Sequence, residues 1–274
     1  MGQICFLSDF GSAGDFVGTC KGVMAGIAPD VSVIDLTHDV PGFEVVAGAE
    51  ILQHATRYMP PDTVYLAVID PGVGTGRRGL AIRTGKGPLM VGPDNGLLVP
   101  AAESLGGVSE AVELTNNEYQ VRPVSSTFHG RDIFAPAAAH LAAGVDLAEL
   151  GSSVDPDSLV SLELSGLEVL SDSTYKALIL DIDRYGNARL SVMQEELDLE
   201  YGAALRVDSG DGEMPVRYLA TFGAASNGEL VLVPDSHWRL SLSINKGSAA
   251  HALALYRGGD VLLRIEGSGD DETT

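Results

Sequence analysis

The first half of the chain alternates two hydrophobic periods. ICFLS (4–8), VSVIDL (31–36) and VYLAVID (64–70) are short runs rich in β-branched and aromatic residues, the pattern of buried strands. Between them, DFVGTCKGVMAGIA (15–28) and FEVVAGAEILQHATRYM (43–59) repeat apolar residues at three and four, as one-faced helices do. Asp15 stands where a helix cap belongs. Strand, helix, strand, helix, strand predicts a mainly parallel central sheet with helices on its faces. DIFAPAAAHLAAG (132–144) predicts a further helix that closes this part.

Around 155–174 the texture becomes polar and rich in Ser and Asp, which reads as a connection. Short alternating runs follow: YKALILDID, ARLSVM, ALRVD, ELVLV, RLSLSI and ALALYR, separated by GN, SGDG, SNG, NKG and GGD. Turn signals at this spacing predict a small antiparallel barrel or sandwich. The expected class is therefore α/β: an N-terminal α/β domain (1–160), a linker (161–173), a C-terminal antiparallel β-barrel domain (174–266) and a disordered tail (267–274).

Composition narrows the function. Only 17 Lys and Arg stand against 38 Asp and Glu, a formal net charge of −21, so no nucleic-acid partner is expected. No run approaches the roughly 18 apolar residues of a membrane helix, and the N-terminus has no basic leader. A cytoplasmic protein without a membrane partner is expected. Cys5 and Cys20, the two cysteines, lie in apolar runs and read as buried thiols rather than as a disulfide or metal site.

In an open parallel sheet, ligands bind off the carboxyl ends of the strands. Asp9, Asp35 and Asp70 fall at such ends, and each alone also suits a loop cap. VIDPGVGTGRR (68–78) resembles a phosphate loop, but its glycines miss the GxGxxG spacing. A strand-like GLAIRT follows where a helix is needed. DFG (9–11) lacks the other kinase motifs. The glycines are better read as a tight turn that delivers Asp70 and Arg77 to one place.

STFHGRD (126–132), ahead of the last helix, brings His129 to the same edge. His54 and His140 sit in helical patterns and read as structural, while His38 is ambiguous. Asp, Arg and His together suit a water-handling site. A metal held by Asp9, Asp70 and His129 is the alternative, against which the arginine weighs as a competing cation.

These residues resemble a known family. SDFG with DFVGTCKGVM, then VSVIDLTHDVPGFEVVAGA, VIDPGVGTGRR, VGPDNGLL, TFHGRDIFAPAAAHLAAG, IDRYGN and NKGSAA are similar to the S-adenosyl-L-methionine (SAM) hydroxide adenosyltransferases, relatives of fluorinase and chlorinase. The resemblance spans residues 4–265. It implies hydrolysis of SAM to adenosine and L-methionine, no cofactor and no metal. It also implies a homotrimer whose site lies between one subunit's N-terminal domain and its neighbour's C-terminal domain. A non-catalytic SAM or adenosine sensor is the remaining alternative.

The same resemblance implies roles residue by residue. Asp70, Arg77 and His129 match the hydrolase branch; the halogenases carry Tyr in place of Asp70 and of His129. Asp9 matches the carboxylate on the ribose hydroxyls, and Phe43 and Phe128 match walls of the nucleoside pocket. From the C-terminal domain, Asn187 matches the amide that reads adenine, Phe222 an aromatic against the base, and Asp183 the contact to the methionine ammonium. His237 replaces an arginine that holds the methionine carboxylate in the halogenases, which leaves Ser236 and backbone groups to do so. Phe16 replaces a serine.

Overall fold

Strands Gln3–Ser8 (β1), Ser32–Thr37 (β2) and Thr63–Val68 (β3) form the parallel half of the first sheet. β3 is buried along its whole length, as expected of a strand with helices on both faces. In this computed structural model, residues 2–266 are described apart from 163, 165 and 211. The tail at 267–274, expected to be disordered, lies outside the described residues.

Gly79–Thr84 (β4), Leu89–Pro93 (β5), Val108–Glu113 (β6) and Ser152–Val154 (β7) complete the sheet in the order β2-β1-β3-β5-β4-β6-β7. β5 runs parallel to β3, whereas β4 pairs antiparallel with β5 and β6, and β6 antiparallel with β7. Alternate strand residues feed two cores. Phe6, Leu66 and Val68 pack with helices Phe16–Ile27 (α1) and, further on, Ala135–Ala142; Leu7, Tyr65 and Ile69 pack with Val45–Ala55 (α2) and Val99–Ser104 (α3). The helix at Ala135–Ala142 is α4.

Two local expectations change. Asp15 occupies the cap position of α1, but its side chain makes no capping bond. The helix expected at 132–144 begins as a π-helical turn, Gly130–Phe134, and becomes α-helical only at Ala135. Cys5 and Cys20 are buried on opposite faces of the sheet, where burial pushes each thiol up to about 12.

The chain divides into two compact units, residues 1–164 and 165–274. In the second, Glu168–Ser171 (β8), Thr174–Ile182 (β9), Ala188–Met193 (β10), Ala204–Asp208 (β11), Glu213–Tyr218 (β12), Leu230–Pro234 (β13), Arg239–Ile244 (β14) and Asp260–Ile265 (β15) form one sheet. Pairing of β10 with both β14 and β9 closes seven of these strands into a barrel filled by Leu190, Val207, Leu232, Leu242 and Leu263. β8 lies within the stretch read as linker and pairs with β9.

The pairings are antiparallel with one exception, β12 with β13, which is parallel. ALALYR (252–257), expected as a strand, is instead the end of a short helix, Ala249–Ala252 (α5), and the turn after it. The strand comes later, at DVLLRI. Ala and Leu alternate there but are strong helix formers, and period 2 without β-branched residues did not decide the local structure.

Candidate active site

β3 ends at Val68, and the chain leaves the sheet through buried Ile69 to Asp70 at the carboxyl edge. The following turn is tied by Val73 N–H to Asp70 O (3.2 Å) and by Thr75 N–H and Oγ1 to Gly72 O (3.1 and 2.6 Å). Gly74 sits at φ 75°, and a Cβ there would stand 2.3 Å from Ser126 O. Only glycine combines that backbone with that approach, so the turn lies directly against the loop that carries His129. The chain then enters β4 as a strand, and no helix N-terminus follows the glycines.

The second loop has its own anchor. Asp132 is fully buried; its Oδ2 accepts the Ser125 N–H (2.7 Å), and its carboxylate takes a two-point bond from Arg131 (2.6 and 2.8 Å). Burial pushes this carboxyl upward, but the Arg131 and Ser125 bonds outweigh it and hold it below its ordinary range. His129 therefore enters the π-helical turn, at its cap position, from a fixed loop. Arg131 also lies over the Phe128 ring at 5.2 Å.

Asp70, Arg77 and His129 meet. Arg77 donates from Nε to Asp70 Oδ1 (3.0 Å) and from Nη2 to Asp70 Oδ2 (2.5 Å), and the same Nη2 reaches His129 Nδ1 at 3.1 Å. Arg77 also donates from Nη1 to the Arg78 carbonyl and covers the Phe134 ring at 5.2 Å. The Asp70 and Arg77 side chains are 6% and 9% exposed. The bridging group is thus Arg77; the structure shows no Asp70–His129 hydrogen bond. Burial first, and the Arg77 charge second, push His129 below its ordinary value of 6.5, against smaller upward pulls from Asp70 and Asp132.

Asp70 and His129 open on a cavity of about 300 Å³ that Asp9, Phe43 and Phe128 also line. Asp9 Oδ2 accepts the N–H of Phe43 (3.0 Å), which is held at φ 69°, rare for a bulky residue. Two further rings, absent from the sequence-derived set, complete the apolar wall. Phe10 and Phe16 meet Phe128 edge-on, with centroids 5.7 and 4.9 Å apart. Phe16 was notable in the sequence only as a substitution for serine, and Phe10 carried no signal beyond its place beside Asp9. Asp35, the third strand-end carboxylate, is bound to Lys21 (2.8 Å) and His38 (3.1 Å) and does not line this cavity.

The family model for the SAM hydroxide adenosyltransferase N-terminal domain matches residues 4–151, and that for the C-terminal domain matches 177–262. The chain belongs to this family. It is 44% identical over 255 residues to the (R)-S-adenosyl-L-methionine hydrolase of Salinispora tropica, covering 93% of this chain and 95% of that one. It is 37% identical to the Thermus thermophilus protein of the same name over 96% of this chain and all of that one. A fluorinase from Nocardia brasiliensis is 29% identical, with 96% of each chain covered. A solved structure of an uncharacterized conserved protein from Thermotoga maritima superposes with a TM-score of 0.88 at 34% identity, covering 95% and 99% of the two chains.

The remaining residues singled out in the sequence lie in the second unit. Asn187 and Phe222 line a cavity of about 390 Å³ with Tyr185, Asn245 and Lys246. Asp183 accepts three bonds inside its own turn: Tyr185 N–H and Asn187 N–H at Oδ1, and Asn187 Nδ2 at Oδ2 (2.8, 2.9 and 2.8 Å). It thereby fixes the Asn187 amide. Ser236 and His237 lie in a loop gathered by Asp235, whose Oδ1 accepts the N–H groups of His237 (2.7 Å) and Arg239 (3.1 Å). Ser236 does not line the cavity of Asn187.

Proposed function

We propose that this chain hydrolyses S-adenosyl-L-methionine to adenosine and L-methionine by attack of water at C5′. The carrying observation is Arg77 bridging buried Asp70 to His129 at the rim of an apolar cavity. The water oxygen forms the new bond to C5′ as the C5′–sulfur bond breaks. Its electron pair goes to sulfur, which leaves as a neutral thioether, and one water proton is released. A sulfonium leaving group needs no protonation and no metal; the protein must hold the water in line and stabilise its hydroxide character.

The hydrogen-bond directions support a division of these tasks. Arg77 has only donors, so His129 Nδ1 accepts, and a neutral ring carries its proton on Nε2. His129 then donates to the attacking oxygen. Asp70, though bound twice by Arg77, retains acceptor capacity for the water proton, since a carboxylate offers about four lone-pair sites. Arg77 holds both partners in place. On the substrate side, Asp9 takes the ribose hydroxyls and the phenylalanines enclose the nucleoside. Asn187, Phe222, Asp183 and Ser236 serve the adenine and methionine ends.

The rival metal reading of Asp9, Asp70 and His129 fits poorly. Both Asp70 oxygens and His129 Nδ1 are engaged by a cation, and among the described residues no three His, Cys, Asp or Glu side chains gather as a ligand set. Of the finer expectations, the homotrimer rests on the family resemblance, while cytoplasmic location and the lack of a nucleic-acid or membrane partner rest on charge and hydropathy. No helix among the described residues is long and apolar enough to cross a membrane, and light scattering tests the trimer.

One assay tests the activity. The pure protein is incubated with SAM in ¹⁸O-water with and without a chelator, and products are separated by liquid chromatography with mass detection. Adenosine carrying one ¹⁸O at the 5′-hydroxyl, equal in both arms, is expected. Absence of adenosine, or its formation only when a divalent metal is restored, overturns the proposal.

A further inference from the structure

Ser8, the residue before the cavity-lining Asp9, begins a second polar chain. Ser8, the last residue of β1, is fully buried and sits 2.8 Å from His38 Nδ1; His38 Nε2 meets Asp35 Oδ1 at 3.1 Å, and Asp35 Oδ2 accepts Lys21 Nζ at 2.8 Å. The arrangement of Ser, His and Asp looks nucleophilic, but a serine with no exposure reaches no substrate. Burial pushes the Asp35 carboxyl upward, while the bonds from Lys21 and His38 outweigh this and keep it below the ordinary carboxylate range. Asp35 is therefore an acceptor for His38 Nε2–H, and in the tautomer whose single ring hydrogen is on Nε2, Nδ1 accepts from the Ser8 hydroxyl.

That fixed hydroxyl acts on the main chain. With its proton committed to His38, Ser8 Oγ accepts from the Phe10 N–H at 3.4 Å, and the His38 carbonyl takes the Gly11 N–H at 2.8 Å. The His38 ring is packed edge-on against Phe6, centroids 4.6 Å apart. His38 thus grips the loop after β1 from both sides of Asp9, at Ser8 and at Gly11, and Asp9 and Phe10 are the residues this loop gives to the cavity.

We propose that His38 is a positioning residue for substrate binding: through Ser8 and the Gly11 N–H it sets the direction of the Asp9 carboxylate toward a vicinal diol, without taking part in the chemistry. This rests on the proposed role of Asp9 toward the ribose. The Asp70–Arg77–His129 set shares no hydrogen bond with this chain, so the effect falls on binding and not on the reacting atoms.

The test uses the full-length protein and compares the affinities of adenosine and 2′-deoxyadenosine by calorimetry, alongside KM and kcat for SAM. The wild type is expected to prefer adenosine by at least about tenfold, the worth of a hydrogen bond to a charged group. Asp9→Ala abolishes this preference. Ser8→Ala and His38→Leu reduce it to within about twofold and raise KM about tenfold while kcat stays within about threefold. His38→Asn, which keeps an acceptor near the Nδ1 position, retains most of the preference.

General loss of stability weakens both nucleosides alike and does not move the ratio, so a ratio unchanged in Ser8→Ala and His38→Leu while Asp9→Ala abolishes it overturns the role of His38 alone. A ratio unchanged even in Asp9→Ala removes the reading of Asp9 and this proposal with it. A His38→Asn variant as defective as His38→Leu also counts against the proposal. If His38→Leu fails to fold, Ser8→Ala and His38→Asn carry the comparison.

Discussion

Arg77 donates to His129 Nδ1 from the same Nη2 that holds Asp70, at 3.1 Å, so the ring faces a permanent cation on one nitrogen. Burial lowers this histidine's value first, and Arg77 adds to it because protonating His129 would place two donors head to head. A rate that requires neutral His129 falls on the acid side with a midpoint below 6.5. Replacing Arg77 removes one downward influence and moves the ring's midpoint upward, as read by NMR titration of the imidazole. A histidine midpoint that does not move on removing Arg77 contradicts this account.

The same shift has a consequence for stability, with a definite sign. The folded protein binds the His129 proton less readily than the unfolded chain, whose value is 6.5. As pH falls below about 6.5 the unfolded state gains the proton first, so stability rises with pH across the window between the folded and unfolded values. Urea midpoints at pH 5 and 7.5 should differ more in the wild type than in His129→Gln.

Removing the guanidinium leaves the Asp70 carboxylate, 6% exposed, without its partner. Arg77→Ala should lower unfolding free energy by about 3–5 kcal/mol and adenosine formation by at least about 100-fold. Arg77→Lys keeps the charge but cannot span two Asp70 oxygens and His129 together, so it should recover stability more than rate. Denaturant titration alongside product chromatography separates the two effects; single replacements of Asp70 and His129 should also cost at least about 100-fold in rate.

Gly74→Ala combines a left-handed backbone with a Cβ 2.3 Å from the Ser126 carbonyl. The two loops must separate, so a loss of about 2 kcal/mol and a rate reduction of at least about tenfold are expected. A wild-type melting temperature and rate in this variant would mean that the loop contact is dispensable.

Asp132→Asn removes the carboxylate that holds Arg131 and the Ser125 N–H in a fully buried position. About 1–3 kcal/mol of stability should be lost. Because the Asp132 carboxyl is held below its ordinary value of 3.8, the contribution is present above that pH and is lost as pH falls through the folded value. Acid unfolding of wild type and variant should therefore converge at low pH.

Much of this was legible in the chain because strands and helices differ in period. VYLAVID announces a buried strand, its carboxyl end marks the ligand edge, and the failed GxGxxG spacing turns attention to Asp70 and Arg77. What the linear pattern cannot carry is contact between residues far apart in sequence. Asp35 looked equivalent to Asp9 and Asp70 by strand position, yet Lys21 and His38 hold it elsewhere. His38 was ambiguous because Ser8, its partner, lies on another strand. That Arg77, and not Asp70, touches His129 depends on how two loops pack around a glycine. Phe10 and Phe16 form a wall only once both meet Phe128.

The parallel pairing of β12 with β13 has a kinetic side. A hairpin would join neighbouring strands with a few residues, whereas a parallel pair forces the chain to travel back along the barrel before it can pair again. That return path, 219–229, is where Phe222 sits, in a short 3₁₀ turn. Barrel closure must therefore await a longer and less local connection, which raises contact order and slows folding relative to an all-hairpin barrel of the same size. Shortening the path would speed folding and remove Phe222, the ring this path carries into the cavity that Asn187 lines.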